Sequence, residues 1–477
     1  MTAITWEVLA DLNNDADYLD AGETVTGDVR TIPGISVSRG LDMQQVLSPP
    51  KVSQASYTLD NSQATPTYPI GTIPKGILSR IRASDGAFST LFEGRVEAAV
   101  QHPETGQQSV GIEAIGVMNR LVGKTVSTAL LENATADACI TALLDAAGFP
   151  AADRTLGVGQ TTLNYWWLDE EDAWRALVTL VNTEGPNATL YEVGKVLTFE
   201  NRNYRWETTR SNTSQATFRG TGTEPLQSAP FIYDDGLRNV VNVCKVEIVT
   251  RTIAAVAVIW SFAPALSLAA SEVKTFIVRT SNADPFKGAL DPVAATDYTL
   301  VSGAIASATL NRTSGGNATL TITAGAAGAT LTGLQVRAEA ITVATRTTIQ
   351  NSVSTTASQT ANGLKTYTLS VRPDISAAYA LAFCDYVVSL WQSGRPTVTI
   401  AVNNGNATRL AQCLDREVSD RITVVEARSG LNQAVWINAI NHRFSRGYHV
   451  TTFGCEQAQT SPGLWDSGLW DSDSWAL

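Results

Sequence analysis

The chain has few of the residues that enzymes and metal sites usually depend on. Among its 477 residues there are three histidines, His102, His442 and His449. The sequence contains no HExxH, GxSxG, Walker A or GxGxxG motif. It therefore gives no support for a zinc protease, an α/β-hydrolase or a nucleotide-binding enzyme. We predict no catalytic residue, no cofactor site and no metal site.

Basic clusters, long apolar runs and paired cysteines are also missing. No run of five Lys or Arg occurs and the formal net charge is −11, which argues against a dedicated nucleic-acid-binding protein. No window approaches ~18 continuous apolar residues, and residues 1–15 lack a signal pattern, so we expect neither a membrane span nor a secretory signal. The five cysteines are scattered, which favours buried free thiols made in a reducing cytosol.

What the sequence does contain is the pattern of a mainly β protein. Glycine totals 35, and short alternating runs are broken by turn residues about every ten positions. Examples are 32–39, 55–59 and 109–116. The sequence therefore predicts the mainly β fold class.

Three segments have helical periodicity instead. The first helix is predicted over 135–148, the second from Asp169 to Gly185, and the third over 374–394. After the second helix, a Gly-Lys pair at 194–195 predicts a β-hairpin turn. The stretch 125–220 is thus expected to be a small α+β unit between β regions.

Two further patterns concern the β regions. Residues 251–345 are rich in Ala, Thr, Gly and Val and alternate in polarity, which predicts an inserted β-sandwich. The segments 94–116 and 436–456 both indicate strand, polar turn and strand, with a glycine near the end of the return strand. Two similar barrels in one chain would explain this likeness, and so would chance.

Several polar clusters have both a chemical and a structural interpretation. The acidic run 169–172 could suggest paired catalytic carboxylates, but consecutive helix positions do not converge, and a helix N-terminus explains the run. His442 and His449 could bind a metal or move a proton, but no acidic residue accompanies them at ligand spacing, which favours ordinary strand-surface imidazoles. Residues 234–236 and 403–405 are predicted turns.

The C-terminus is rich in tryptophan. Trp465, Trp470 and Trp475 are spaced five residues apart between small and acidic residues. Such a segment has too few apolar residues for a core of its own, and buried tryptophans often anchor one chain to another. We predict that these three residues dock onto a partner or a neighbouring subunit; the alternative is a tail folded back onto its own domain.

Several stretches resemble the minor tail or hub proteins of long-tailed bacteriophages (siphophages), particularly those of actinobacterial hosts. They are VSRGLDMQQVLSPPKVSQASYTLDN, LFEGRVE, YWWLDEEDAWRALVTLVNTEGPNATLYEVGKVLTFENR, FIYDDGLRNVVNVCKVE and CLDREVSDRITVVEARSGLNQAVWINAINHRFSRGYHVTTFGCE. The resemblance is one of order and residue pattern and includes no catalytic signature. Such hubs are similar to the central protein of contractile-tail baseplates.

The resemblance implies a structural protein, not an enzyme, at the distal end of a virion tail, assembled in the host cytoplasm. As a homotrimer it would form a pseudo-sixfold ring that adapts the tail tube to the tip and lines the DNA exit channel. The implied partners are a distal tail protein, a tape-measure protein and tip or fibre proteins, with no sequence-specific nucleic-acid binding.

The resemblance and the segment patterns together predict six regions. In chain order they are an N-terminal β-barrel hub domain (1–125), a small α+β domain (126–220), connecting strands of the hub (221–250), an inserted β-sandwich (251–345), a C-terminal β-barrel hub domain (346–456) and a Trp-rich tail (457–477).

Two other functions compete with the hub. A receptor-binding protein would contact host glycans through the sandwich or the tryptophan tail. A tail-associated glycosidase or peptidase would need convergent acids or a metal triad, which the sequence does not show.

Overall fold

The computed structural model describes residues 2–43, 47–63, 65–104, 108–220, 228–282, 284–369 and 374–459. The mainly β fold class is confirmed, but the two predicted β-barrel regions form no closed barrel among the described residues; their strands belong to one twelve-stranded sheet. The predicted docking residues Trp465, Trp470 and Trp475 lie outside the described residues.

The N-terminal region forms six strands. They are β1 (Thr5–Ala10), β2 (Ile35–Gly40), β3 (Gln54–Asp60), β4 (Leu78–Ser84), β5 (Phe88–His102) and β6 (Ser109–Gly116). Alternation fixes which face is buried: Tyr57 of β3 and Ile112 of β6 lie opposite each other in the core, while Ser56 and Glu113 point outward. The strands are hydrogen-bonded in the order β1-β4-β5-β6-β3-β2, which we call the first strand set.

A small α+β unit follows. Its elements are β7 (Thr125–Val126), β8 (Leu131–Thr135), α1 (Ala136–Ala146), β9 (Arg154–Leu156), β10 (Thr162–Trp166), β11 (Glu171–Asp172), α2 (Ala173–Glu184), β12 (Thr189–Val193), β13 (Val196–Glu200), α3 (Tyr204–Glu207) and α4 (Thr209–Asn212). The predicted first helix and the hairpin at Gly194 are confirmed. The facing stripes of α1 and α2 bury Leu143 and Leu177 in one core.

The second predicted helix begins four residues later than the sequence indicated, at Ala173 rather than Asp169. Glu171 and Asp172 pair as a strand with β7, and Glu170 has a φ of 56°, which a right-handed helix does not accommodate. Asp172 is the N-cap, since its carboxylate accepts a hydrogen bond from the Arg175 backbone N–H at 2.8 Å. The helix N-terminus thus explains Asp172 alone: no acid lies in the first turn of the helix, so the predicted boundary and the role given to the other three acids are wrong.

The second half of the chain contains the remaining elements. They are β14 (Thr217–Arg219), β15 (Ser228–Asp234), β16 (Val243–Ile253), β17 (Ala257–Phe262), β18 (Leu266–Leu268), β19 (Val273–Arg279), β20 (Phe286–Lys287), β21 (Thr299–Arg312), β22 (Asn317–Thr332), β23 (Leu334–Gln350), α5 (Thr356–Asn362), β24 (Thr366–Leu369), α6 (Ala377–Trp391), β25 (Thr397–Asn403), α7 (Ala407–Asp415), β26 (Arg421–Glu426), β27 (Leu431–Ser445) and β28 (Tyr448–Gln457). Short 3-10 helices span Thr26–Asp28, Val117–Leu121, Ala151–Asp153 and Leu237–Asn239.

The inserted β-sandwich consists of two sheets. One has the order β17-β23-β16-β24 with β20 also on β23, and the other has the order β18-β22-β19 with β21 also on β22. Leu320 and Val336 belong to the core of the sandwich. The long strands β16 and β23 pair from Lys245↔Gln350 to Ile253↔Ile341, and the α6 helix packs on β16 at the end away from the sandwich core.

The last four strands, with β14 and β15, repeat the arrangement of the first strand set. Their order is β14-β26-β27-β28-β25-β15, which corresponds strand for strand to β1-β4-β5-β6-β3-β2, and we call it the second strand set. A bulge interrupts the first strand of the central hairpin in both sets, between Val96 and Ala98 in β5 and between Ile437 and Ala439 in β27. The sets differ in one pairing, because β1 is antiparallel to β4 whereas β14 is parallel to β26.

The two strand sets are joined into one twelve-stranded sheet by β2 and β27. This joint runs antiparallel from Ile35↔Phe444 to Gly40↔Ala439. At its end the Asn438 carbonyl in the β27 bulge accepts a hydrogen bond from the Leu41 N–H at 2.8 Å. Gly40 has a φ of 109°, and a Cβ there would lie 2.3 Å from that carbonyl oxygen, so a glycine is required for this close approach.

We expect Gly40→Ala to destabilise the joint. Gly71 is a matched control because its φ is 90° and a Cβ there would meet nothing within 4 Å. Both alanines incur backbone strain, but only Gly40→Ala also forces the β2 and β27 backbones apart, which should cost about 1–3 kcal/mol more. Calorimetric unfolding of the two variants measures the difference, and equal losses would contradict this account of the joint.

Candidate assembly site

A buried arginine supports the bulge at the joint. Arg205 of α3 is 1% exposed, and its guanidinium donates to Asn438 Oδ1 at 2.7 Å, to the Glu456 carboxylate at 2.6 Å and to Ser419 Oγ at 3.2 Å. Arg395 also contacts Glu456 at 3.2 Å. Burial alone would raise the pKa of the Glu456 carboxyl, but Arg395 and Arg205 together lower it below its ordinary value. The α+β unit is thus tied to the joint by paired charges.

His442 and His449 are buried beside the joint, so their interpretation as strand-surface imidazoles is wrong. His442 Nδ1 lies 3.2 Å from His449 Nε2, and Thr451 Oγ1 lies 3.1 Å from each of these nitrogens. Burial lowers the pKa of His442 well below its ordinary range and that of His449 to about 3. The pair is therefore neutral at physiological pH and links β27 to β28, and no carboxylate in the described ranges is bonded to either ring.

A carboxyl group ties the α+β unit to the first strand set. Glu192 of β12 is 1% exposed, and its carboxylate accepts hydrogen bonds from the backbone N–H groups of Ser53, at 2.8 Å, and of Met118. Burial raises the pKa of Glu192 to about 7, although both hydrogen bonds act in the opposite direction. This carboxyl group can therefore change its charge near neutral pH.

Besides its terminal strands β1 and β14, the twelve-stranded sheet has two open edges that correspond to the two sides of the joint. One is β15, at the end of the strand order, which pairs only with β25 among the described strands. The second open edge is the outer half of β5, 98–102, whose neighbour among the described strands is β6 alone. The corresponding half of β27, 439–444, is covered by β2 of the same chain. β15 corresponds to β2, and the outer half of β5 corresponds to the half of β27 that β2 covers. β15 therefore lacks a neighbour like β27, and the outer half of β5 lacks a neighbour like β2.

The pairings also equate individual residues at these edges. Tyr233 lies opposite Val398, and Val37 lies opposite Ala55, at the same distance from the bulge in each set. Val37 is 0% exposed in the joint, whereas Tyr233 is 45% exposed at the free edge. An aromatic side chain thus stands open to solvent at a position that is buried in the other half of the molecule.

Other predicted groups have structural roles. Asp234 and Asp235 accept hydrogen bonds from the backbone N–H groups of Gly236 and Leu237, as expected of a turn. Asp169 accepts hydrogen bonds from Ser314, at 3.1 Å, and from Asn317 of the sandwich. All five cysteines are buried and free, as predicted; their origin in a reducing cytosol stays a prediction.

A cleft of about 500 Å³ lies beside the joint. Of the charged groups that line it, Arg39 is paired with Glu417, and Arg210 is paired with Asp420 at 2.7 Å. No helix in the described part of the chain has both the length and the apolar character needed to cross a membrane.

The fold has counterparts among solved structures, although no family model and no curated protein matches the sequence. A tail protein from Neisseria meningitidis MC58 aligns with a TM-score of 0.52 and 10% identity over 96% of this chain and 97% of that chain. The 43 kDa tail protein of prophage MuSo2 from Shewanella oneidensis aligns with a TM-score of 0.51 and 9% identity over 95% and 97%. The chain has the fold of these two tail proteins. This agrees with the fold that the sequence resemblance implied; the siphophage, actinobacterial type stays a prediction.

We expect Glu192 to make stability depend on pH. Its pKa in the folded state, about 7, exceeds the ordinary value of 4.5, so the folded state binds more protons between these pH values. Its contribution is therefore fully present below pH 4.5 and is lost as the pH rises to about 7, by up to roughly 3 kcal/mol. Glu192→Gln should remove this loss, because glutamine does not titrate.

Calorimetric melting at about pH 5 and pH 7.5 measures the effect. The loss of melting temperature on raising the pH should be smaller in Glu192→Gln than in the wild type. Glu113→Gln, at an exposed position on β6, is the control and should keep the wild-type dependence. An unchanged pH dependence in Glu192→Gln would show that Glu192 is not the titrating group.

Proposed function

We propose that the chain is a ring-forming structural protein of a phage tail tip or baseplate, acting as a hub and not as an enzyme. The proposal rests on one observation: two strand sets of the same order are joined edge to edge, and the joint leaves its two complementary edges open. A chain of this kind can add a copy of itself at each open edge. If the rotation between successive copies divides a full turn and carries no shift along the axis, the copies close into a ring rather than an open filament.

The contact we propose places β15 of one chain beside the outer half of β5 in the next. Copying the register of the joint sets Asp234 opposite Val100 and Tyr233 opposite Gln101, as Ser38 faces Asn441 and Val37 faces His442 within one chain. Val100 is 46% exposed and Ile232 is 54% exposed, and both would lie on the same face of this pairing. The new strand pair would provide hydrogen-bond partners for backbone N–H and C=O groups that are otherwise unpaired at the strand edges.

Three copies would then supply six strand sets in a closed collar, as the sequence resemblance implies. Such a homotrimer would present six similar units to a tail tube and three to a tip, and so adapt one symmetry to the other. The net charge of −11 suits a channel through which DNA passes, because a negative wall does not retain a phosphate backbone. Its neighbours would be a distal tail protein, a tape-measure protein and tip or fibre proteins, at the distal end of the virion tail.

Cysteine cross-linking of the full chain tests the strand pairing. We expect the double variant Val100→Cys/Asp234→Cys to form disulfides between chains, because residues directly opposite on paired strands have Cβ atoms about 4.5–5.5 Å apart. Ser38→Cys/Asn441→Cys is the matched control, since these positions are their equivalents in the joint and should cross-link within one chain. The five native cysteines are buried and should contribute little background.

Non-reducing electrophoresis, combined with the mass of the native particle, separates the outcomes. A series of disulfide-linked bands that ends at the mass of three chains supports both the pairing and the trimeric ring. A ring of three chains in which the Val100→Cys/Asp234→Cys variant forms no disulfides between chains would reject this pairing and leave the ring intact. A chain that stays monomeric at high concentration would reject the ring itself.

A charge at the proposed interface should prevent assembly. We expect Tyr233→Glu to weaken self-association at least about 100-fold, because the joint equivalent of this position is fully buried and a lone carboxylate there loses its hydration. Val158→Glu is the control, since Val158 is 68% exposed and lies in the α+β unit away from both edges. Sedimentation measures both variants, and equal association of Tyr233→Glu and the wild type would contradict the proposal.

Receptor binding by the sandwich or by the tryptophan tail is the competing function, and only the sandwich lies within the described residues. Its aromatic residues Trp260, Phe262 and Phe276 form a cluster with ring centroids 5.1–6.5 Å apart. All three are half-buried and pack against the sandwich core. The cluster is therefore accounted for by packing, and the hub is the function that we propose.

A further inference from the structure

The loop between β1 and the following 3-10 helix carries an unusual series of oxygen-bearing side chains. Asp11, Asn13, Asp15 and Asp17 occur at alternate positions, and Asp20 and Glu23 follow. In an EF-hand loop the first ligands stand at positions 1, 3 and 5, and a glycine at position 6 makes a sharp turn. Counting from Asp11, position 6 is Ala16, whose φ is 75°. The final acid is one position later than in an EF-hand.

The two ends of this loop are buried and anchored. Asp11 is 0% exposed and Glu23 is 2% exposed. The Asp11 N–H donates to the Leu78 carbonyl at 3.0 Å, and the Ala10 N–H donates to the Glu23 carbonyl at 2.9 Å. The bond to β4 therefore anchors Asp11 and the bond to β1 anchors Glu23, while the acids between them are exposed.

Three carboxylates converge. One oxygen each from Asp11, Asp15 and Glu23 lies within 4.8 Å of the others. Two oxygens bound to one calcium ion at about 2.4 Å can be at most about 4.8 Å apart, so this spacing fits a shared cation. Among the described residues, no Lys or Arg forms an ion pair with any of the three.

Glu23 supplies an independent indication that this cluster binds a cation. Its Oε2 accepts a hydrogen bond from the Asp20 N–H at 3.0 Å, but its Oε1 is buried without a hydrogen-bond partner among the described residues. A buried carboxylate oxygen with no partner is costly, and next to two more carboxylates it is more so. A cation between the three groups removes both costs.

We propose that residues 11–23 form a calcium site, with Asp11, Asp15 and Glu23 as its inner ligands. The donors are all oxygens on an irregular loop, which suits calcium better than magnesium, because magnesium requires a regular octahedron and retains its water. Binding fixes the loop against β1 and β4 at the edge of the first strand set. This site is independent of the proposed ring.

Titration calorimetry and thermal melting of the full chain test the site. The wild type should bind about one calcium ion, and at about 1 mM calcium its first melting transition should rise by at least about 2 °C relative to chelator. Glu23→Gln and Asp15→Asn should weaken binding at least tenfold. Asp85→Asn, in the exposed turn after β4, is the control and should bind as the wild type does.

Melting in chelator shows whether the variants are folded. Without calcium, Glu23→Gln should melt at no lower temperature than the wild type, because it removes a charge from a crowded cluster. Absence of binding heat and of a melting shift at millimolar calcium would overturn the proposal. So would undiminished binding by Glu23→Gln, or an equal response to magnesium.

Discussion

The antiparallel pairing of β2 with β27 is the contact on which the rest of the architecture depends. Residues separated by some 400 positions in sequence meet there, from Ile35 with Phe444 to Gly40 with Ala439. The pairing turns two six-stranded sets into one sheet and decides which edges remain open. It requires a glycine at position 40, a bulge at Asn438 and a buried guanidinium, Arg205, beneath that bulge. The α+β unit reinforces this arrangement, because Glu192 ties it to the first strand set and Arg205 ties it to the second.

Local structure was largely predictable from the sequence because it depends on neighbouring residues. Alternation placed β3 and β6, and an apolar stripe after Thr135 placed α1. The α7 helix was missed, although Asn406 caps it and Leu410 and Leu414 have helical spacing. The short length of this helix, between two strands, concealed the signal. Thr451, which contacts both His442 and His449, donates a hydrogen bond to the carbonyl of Cys413 in this helix, so the missed helix lies beside the histidine pair that was predicted at the strand surface.

The candidate site was less predictable, because it arises from contacts between distant segments. The likeness of the hairpins at 94–116 and 436–456 was visible, but not the strand order around them, which places Tyr233 and Val100 at open edges. The alternate spacing of Asp11, Asn13 and Asp15 is visible in the sequence alone. What the sequence could not show was that strands β1 and β4 would bury Asp11 and bring Glu23 to it.

The two long strands that lead into the sandwich have a mechanical consequence. A domain on a single flexible linker swings freely and transmits little force. Here β16 and β23 enter together as a hydrogen-bonded ribbon, and α6 lies along the base of β16. The sandwich is therefore attached through a stiff two-stranded connection rather than through a flexible linker. A load on its far end would be felt as torque at the core that contains α1, α2 and α6, so an outside contact could be sensed at the centre of the molecule.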